Sequence, residues 1–316
     1  MEPRAGFAVR TKKPGDSRDY RVLAMGGGEL TPEAYEELYR RLSVGSLGLD
    51  PPPAPGAAPW ITCGPYGSGE STMIAVVRQE WTEVRDRDSR SVSAATCLAL
   101  PYSALRETPA GYVDLLRALP SQADLMDRTE PLPVEVGPHS ESIERWSRLV
   151  QTLSVRFCAS VAAAVLESPV ALVGADLPLG EARLEYLDAI AALLPYGVRA
   201  SLVVSTWMEA ASPHFVHIGF CRAPRSGERR MRWGDPTAAA FKTDGPSDRY
   251  LRMLLEVGER RGLPWLMARL AEHRAAMSLD EPQTFTDTVW SLDRAHLVWK
   301  SVADGRGRWQ EATALR

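Results

Sequence analysis

The rhythm of apolar positions changes several times along this chain. Residues 20–25 form a short apolar run ending in Gly26-Gly27-Gly28, which predicts a strand and a flexible turn. Thr31-Pro32 then opens a helix: a capping residue stands before a proline at the first helical position. Tyr35, Leu38, Tyr39 and Leu42 recur behind it at helical spacing. The stretch DPPPAPGAAP (50–59) is too rich in proline for a helix or a sheet interior and reads as an extended connector. Strand character returns at 60–63, 71–81 and 92–100, with the charged turn RDRDSR at 85–90. Leu105, Tyr112, Leu115, Leu116 and Leu119 predict a helix over 102–119.

Residues 120–140, with Pro131, Pro133 and Pro138, read as a linker. The spacing of Ile143, Trp146, Val150, Leu153, Phe157, Val161 and Val165 predicts one long helix over 141–167, deeply buried in its second half. VALVG (170–174) is a continuous apolar strand, and RASLVVST (199–206) is another. Between them Leu184, Leu187, Ile190 and Leu194 mark a helix over 180–194, stopped by Pro195-Tyr196-Gly197. This β-α-β unit predicts a parallel pair with a right-handed crossover. Further strands are expected at 215–221 and 231–233, helices at 248–260, 264–277 and 285–302, and a loosely ordered tail over 304–316.

The fold class is therefore α/β. Residues 1–135 read as a β-rich α+β N-terminal domain. Residues 136–240 read as an α/β middle domain, whose parallel core resembles a degenerate nucleotide-hydrolase sheet. Residues 241–316 read as a helical C-terminal segment.

Composition narrows the function classes. The 37 Lys+Arg and 40 Asp+Glu nearly cancel, so no global field draws the chain to nucleic acid or a membrane. The N-terminus has charges but no apolar signal segment, and the longest apolar stretch, 157–166, is too short to cross a bilayer. Cys63, Cys97, Cys158 and Cys221 form no C-x-x-C pair and read as buried thiols of a cytoplasmic protein.

Several strings imitate chemistry. Gly64 to Ser71 has the glycine and serine spacing of a phosphate-binding loop. Glu70, however, stands where the lysine should be, and a β-branched segment follows instead of a helix. A glycine-rich hairpin loop is expected there. His214 and His217 have the look of spaced metal ligands but lack completing partners, while His139, His273 and His296 stand alone. Asp86 and Asp88 in the charged turn are a weak cation candidate. The acid after the apolar strand, Asp176, resembles a Walker B residue, and Thr206 resembles a γ-phosphate sensor. Arg222, Arg225, Arg229, Arg230 and Arg232 gather around one turn, with few aromatics between them. No catalytic motif, metal site or cofactor is expected.

The strings LLPYGVRASLVVSTW, WGD (233–235) and PWITCGPYGSGES…DRDSRSVSAATCLALPYSAL resemble those of actinobacterial GTPase-associated proteins of prokaryotic conflict systems, over roughly residues 15–235. The resemblance implies a non-enzymatic adaptor in bacterial defence or signalling. Its partner would be a separately encoded GTPase or another conflict-system protein, with neither membrane nor nucleic acid as the first expectation. Arg199, Trp207, Arg229 and Arg230 are the interaction candidates. Two alternatives stand: a divergent nucleotide-binding switch using Asp176 and Thr206, and nucleic-acid contact through the 222–232 arginines.

Overall fold

The computed structural model describes residues 3–13, 15, 19–28, 30–44, 58–209, 214–237, 241–294, 298 and 302. Most of the 50–59 connector, His296 and the 304–316 tail lie outside the described residues. In chain order the first elements are β1 (Arg4–Thr11), β2 (Arg21–Gly26), α1 (Pro32–Leu42), β3 (Trp60–Tyr66), β4 (Met73–Arg85) and β5 (Ser91–Pro101). Then come α2 (Tyr102–Glu107), α3 (Tyr112–Arg117), α4 (Gln122–Met126), β6 (Leu132–Pro133), α5 (His139–Leu153) and α6 (Val155–Ala164). The chain continues through β7 (Val170–Val173), α7 (Glu181–Ala191), β8 (Val204–Met208), β9 (Ile218–Cys221) and β10 (Arg229–Arg232). It closes with α8 (Pro246–Arg261), α9 (Leu263–Glu272) and α10 (Pro282–Leu292). No helix among the described residues is long and apolar enough to cross a membrane.

The strands make one mixed sheet in the order β10-β7-β9-β8-β3-β4-β5-β1-β2, with β6 paired to the start of β1. From β3 to β2 the neighbours are antiparallel, and from β10 to β8 they are parallel. The two halves meet where β3 pairs with β8 through Thr62 opposite Ser205 and Cys63 opposite Val204. Hydroxyls reinforce this short junction. Thr62 Oγ1 lies 2.9 Å from Ser205 Oγ, and the Ile61 amide donates to Thr206 Oγ1 at 2.8 Å. The sheet thus runs straight across the boundary expected at residues 135 and 136. One apolar core also draws residues from all three expected segments, including Phe7, Phe157 and Phe285.

The two sheet faces differ in side-chain size. Phe7, Ile61, Ile74, Leu98, Leu172 and Phe220 point to the face covered by α2 through α10. The other face offers Ala8, Ala75, Ala95, Cys97 and Ala99, small enough to seat Tyr35, Leu38, Tyr39 and Leu42 of α1. The α1 cap is the expected one: Thr31 accepts from the Ala34 amide, and Pro32 opens the helix. The buried Tyr39 hydroxyl donates to the Ala8 carbonyl at 2.7 Å, which satisfies its polar end.

Several elements depart from the sequence pattern. β1 was not expected; it lies inside the sheet with both faces covered, so it shows little alternation. The predicted 102–119 helix is two helices, interrupted by Pro109-Ala110-Gly111. The 120–140 linker contains α4 and β6. The predicted 141–167 helix breaks at Ser154, whose backbone is extended and whose hydroxyl accepts from the Phe157 amide to start α6. β7 and β8 run in the same direction as expected, but β9 lies between them, so they are not direct neighbours. Arg199 and Ala200, expected as the start of a strand, belong to a 3-10 helix over Tyr196–Ala200.

Candidate functional site

Parallel strands place their carboxyl ends on one edge of the sheet, and open α/β sheets bind ligands there. In this protein that edge carries the ends of β7, β9 and β8. A cleft of 460 Å³ opens there, walled by Gly174 and Ala175 after β7, Arg222 after β9, and Trp207 and Phe220 from β8 and β9. Arg183 of α7 and Leu179 close it on the helix side.

Arg183 is half-buried and held by backbone carbonyls. Its Nε and Nη2 donate to Leu177 O at 3.1 and 3.0 Å, and Nη1 donates to Thr206 O at 3.3 Å. Its guanidinium carbon lies 5.0 Å from the Phe220 ring centre. Burial pulls its pKa below the usual arginine value. Arg222 stands in the same relation to Trp207, at 5.8 Å. The Trp207 indole N–H is buried with no acceptor among the described residues. Cys221 also lines the cleft. Burial, reinforced by Glu228 and opposed by Arg230, pushes its thiol up to about 11, so it stays protonated at neutral pH.

The residues singled out from the sequence fall in different places. Trp207 lies in the cleft. Thr206 does not: it is fully buried and its hydroxyl serves the junction with β3. Asp176 is exposed three residues beyond β7 and is not part of the cleft wall. Arg199 is no surface contact, because it is 1% exposed and its Nη2 donates to Asp188 Oδ1 at 2.8 Å. Its guanidinium stacks 4.2 Å from the Tyr112 ring centre and 5.2 Å from that of Tyr196. Arg229 pairs with Glu167 at 2.8 Å and lies over Phe241, whereas Arg230 is exposed on the outermost strand β10. Arg225 bonds with its backbone amide to Glu228, so the arginine group is divided among several tasks.

The imitation motifs resolve into local structure. Gly64 to Tyr66 belongs to β3, and the loop to β4 contains only a three-residue 3-10 turn at Gly69–Ser71, with Gly67 at φ 85°. This is the expected hairpin. Asp86 is buried and accepts from the amides of Asp88 and Arg90, while the Arg90 guanidinium bridges Asp86 and Asp88 at 2.9 and 3.0 Å. The cation held by these two carboxylates is therefore the protein's own arginine. His214 and His217 precede β9, outside any strand. Among the described residues no group of three or more His, Cys, Asp and Glu could hold a metal.

His217 has a structural task with a pH signature. Its Nδ1 accepts from the Val203 amide at 2.9 Å, and burial depresses its pKa below 6.5. The unfolded chain therefore binds the proton first as pH falls. His217 contributes stability above about pH 6.5 that is lost as pH drops towards its folded value. We expect the melting temperature to fall below that pH, and His217→Asn, which keeps an acceptor, to flatten the fall. A wild-type curve that His217→Asn reproduces without change would remove this assignment.

Two other concavities are less distinctive. A groove beside α5 carries both signs of charge, including Asp114, Glu141, Arg145 and Arg148, and compensates itself in part through Arg145–Asp114 at 3.5 Å. A shallow site beside His214 exposes Phe215. Comparison with protein-family models, with curated proteins and with solved structures finds no match to this chain.

Proposed function

We propose that the protein is a non-catalytic binding component, an adaptor, whose recognition site is the cleft at the carboxyl ends of β7, β9 and β8. The carrying observation is the chemistry of that cleft. Its wall offers two guanidiniums, an indole ring, aliphatic surface and a thiol held protonated. Such groups recognise a ligand; they do not supply a base or a nucleophile at neutral pH. The resemblance to GTPase-associated proteins supports a GTPase-centred defence or signalling system as the setting. The nucleotide-switch alternative through Asp176 and Thr206 is weakened, because Thr206 is fully buried and Asp176 stands outside the cleft wall.

The test is association with a GTPase drawn from this protein's gene neighbourhood, measured by co-purification in GDP- and GTP-bound forms. Binding that Trp207→Ala and Arg222→Glu both weaken at least about tenfold is the expected result. Absence of association in every nucleotide state would end the adaptor reading.

A further inference from the structure

The same cleft points to the chemical class of its ligand. Arg183 and Arg222 both line it, and neither is ion-paired to a carboxylate among the described residues. Arg183 is the telling one. It is half-buried, its bonds go to neutral carbonyls, and its ring partner is Phe220. The fully buried Arg199 has Asp188 at 2.8 Å, whereas Arg183, like the half-buried Arg78 and Arg274, is held by carbonyls; what sets Arg183 apart is its place beside Arg222 in a cleft wall. A guanidinium removed from water without a counter-charge is costly, and a bound anion lowers that cost.

Three further features define the anion. The cleft wall contains two positive groups and no acidic residue. A phosphate monoester, with a charge of about −1.5 to −2 at neutral pH, balances two guanidiniums, whereas a carboxylate balances one. Arg183 spends three N–H bonds on carbonyls, which leaves N–H directions of its five for an incoming oxygen. Leu172, Leu179 and Trp207 add apolar wall that a bare phosphate ion would not use, and 460 Å³ is within the range of small-molecule sites. We infer that the cleft binds a small organic phosphate, its phosphate held by Arg183 and Arg222 and its organic body against Trp207. This inference rests on the cleft being the recognition site.

The experiment titrates the full chain with phenyl phosphate, benzoate and inorganic phosphate. The readout is the indole N–H signals of its nine tryptophans by NMR, with the Trp207 signal assigned through Trp207→Phe. Saturable movement of the Trp207 signal by phenyl phosphate is expected, with benzoate and inorganic phosphate each at least about tenfold weaker. Arg222→Ser, at an exposed position, should weaken phenyl phosphate by about tenfold or more without altering the melting temperature. Arg183→Gln should do so as well, although it also loosens the loop at Leu177. The inference is overturned if phenyl phosphate fails to saturate by about 10 mM, if benzoate binds equally well, or if Arg222→Ser changes nothing. Such a failure with GTPase association intact removes the phosphate ligand and leaves the adaptor reading; loss of association alone removes the adaptor and leaves the phosphate site.

Discussion

Asp188→Ala is expected to destabilise the fold by about 3–5 kcal/mol, because it strands a fully buried guanidinium. Arg199 sits among Tyr112, Trp146 and Tyr196, with Asp188 as its one carboxylate among the described residues. Burial alone would lower the Arg199 pKa, but Asp188 outweighs it and holds the value above the ordinary one. Without Asp188 the cation cannot shed its proton at neutral pH, so its desolvation goes uncompensated. Arg199→Met leaves the opposite charge, but a carboxyl can take up a proton, so the loss should be smaller. Asp188→Leu with Arg199→Met removes both charges and should cost less than the two single changes added together. Urea unfolding of the four proteins gives the coupling directly. Additive losses, or a loss below about 1 kcal/mol for Asp188→Ala, would show that the pair does not anchor the core.

Gly197→Ala is the second large effect, expected near 3 kcal/mol. Gly197 lies in the 3-10 turn between α7 and β8. Its amide donates to His273 O at 2.8 Å, and its carbonyl accepts from the Met277 amide at 3.1 Å. A Cβ there would land on the Ala275 carbonyl oxygen, a backbone atom that cannot turn aside. The segment after α9 would have to lift, with loss of Ser201 Oγ to Met277 O and Tyr102 OH to Arg274 O. The variant should therefore also be cut faster by protease between residues 273 and 281. Gly137→Ala is the control: its Cβ meets nothing, and its melting temperature should barely move. Equal stability of the two variants would contradict this account.

Much of the architecture was legible where one face of an element is polar. α1 shows its apolar stripe and its start signal, α7 shows its apolar stripe, and both occur where the spacing places them. VALVG became β7 because a continuous apolar run of that length suits a strand covered on both sides. Order within the sheet was not legible. Nothing local to residues 218–221 says that β9 inserts between β7 and β8, since pairing depends on contacts distant in sequence. β1 stayed hidden for a related reason: a strand buried on both faces loses its alternation.

The candidate site was legible only in fragments. Trp207 was singled out within a recognisable string, but Arg183 belongs to an ordinary helical stretch and Phe220 to an ordinary strand. Their meeting is produced by the crossover from β7 through α7 to β8. Arg199 misled for the converse reason. An arginine flanked by Val198 and Ala200 gives no sign that Asp188, eleven positions earlier, waits for it in the core.

The short β3–β8 junction has a consequence for how this chain reaches its fold. β3, β4 and β5 can assemble as successive hairpins, each closing a loop of few residues. The junction instead joins positions 143 residues apart, and its own bonds are two backbone pairs and a few hydroxyl contacts beside the apolar core that both halves share. Loop-closure entropy must be met before those bonds form. The antiparallel and parallel halves are thus set to organise separately, with Thr62, Ser205 and Thr206 as the latch that closes late. The N-terminal hairpins are then expected to form first, and refolding is expected to slow at the search across the middle of the chain that makes the sheet continuous.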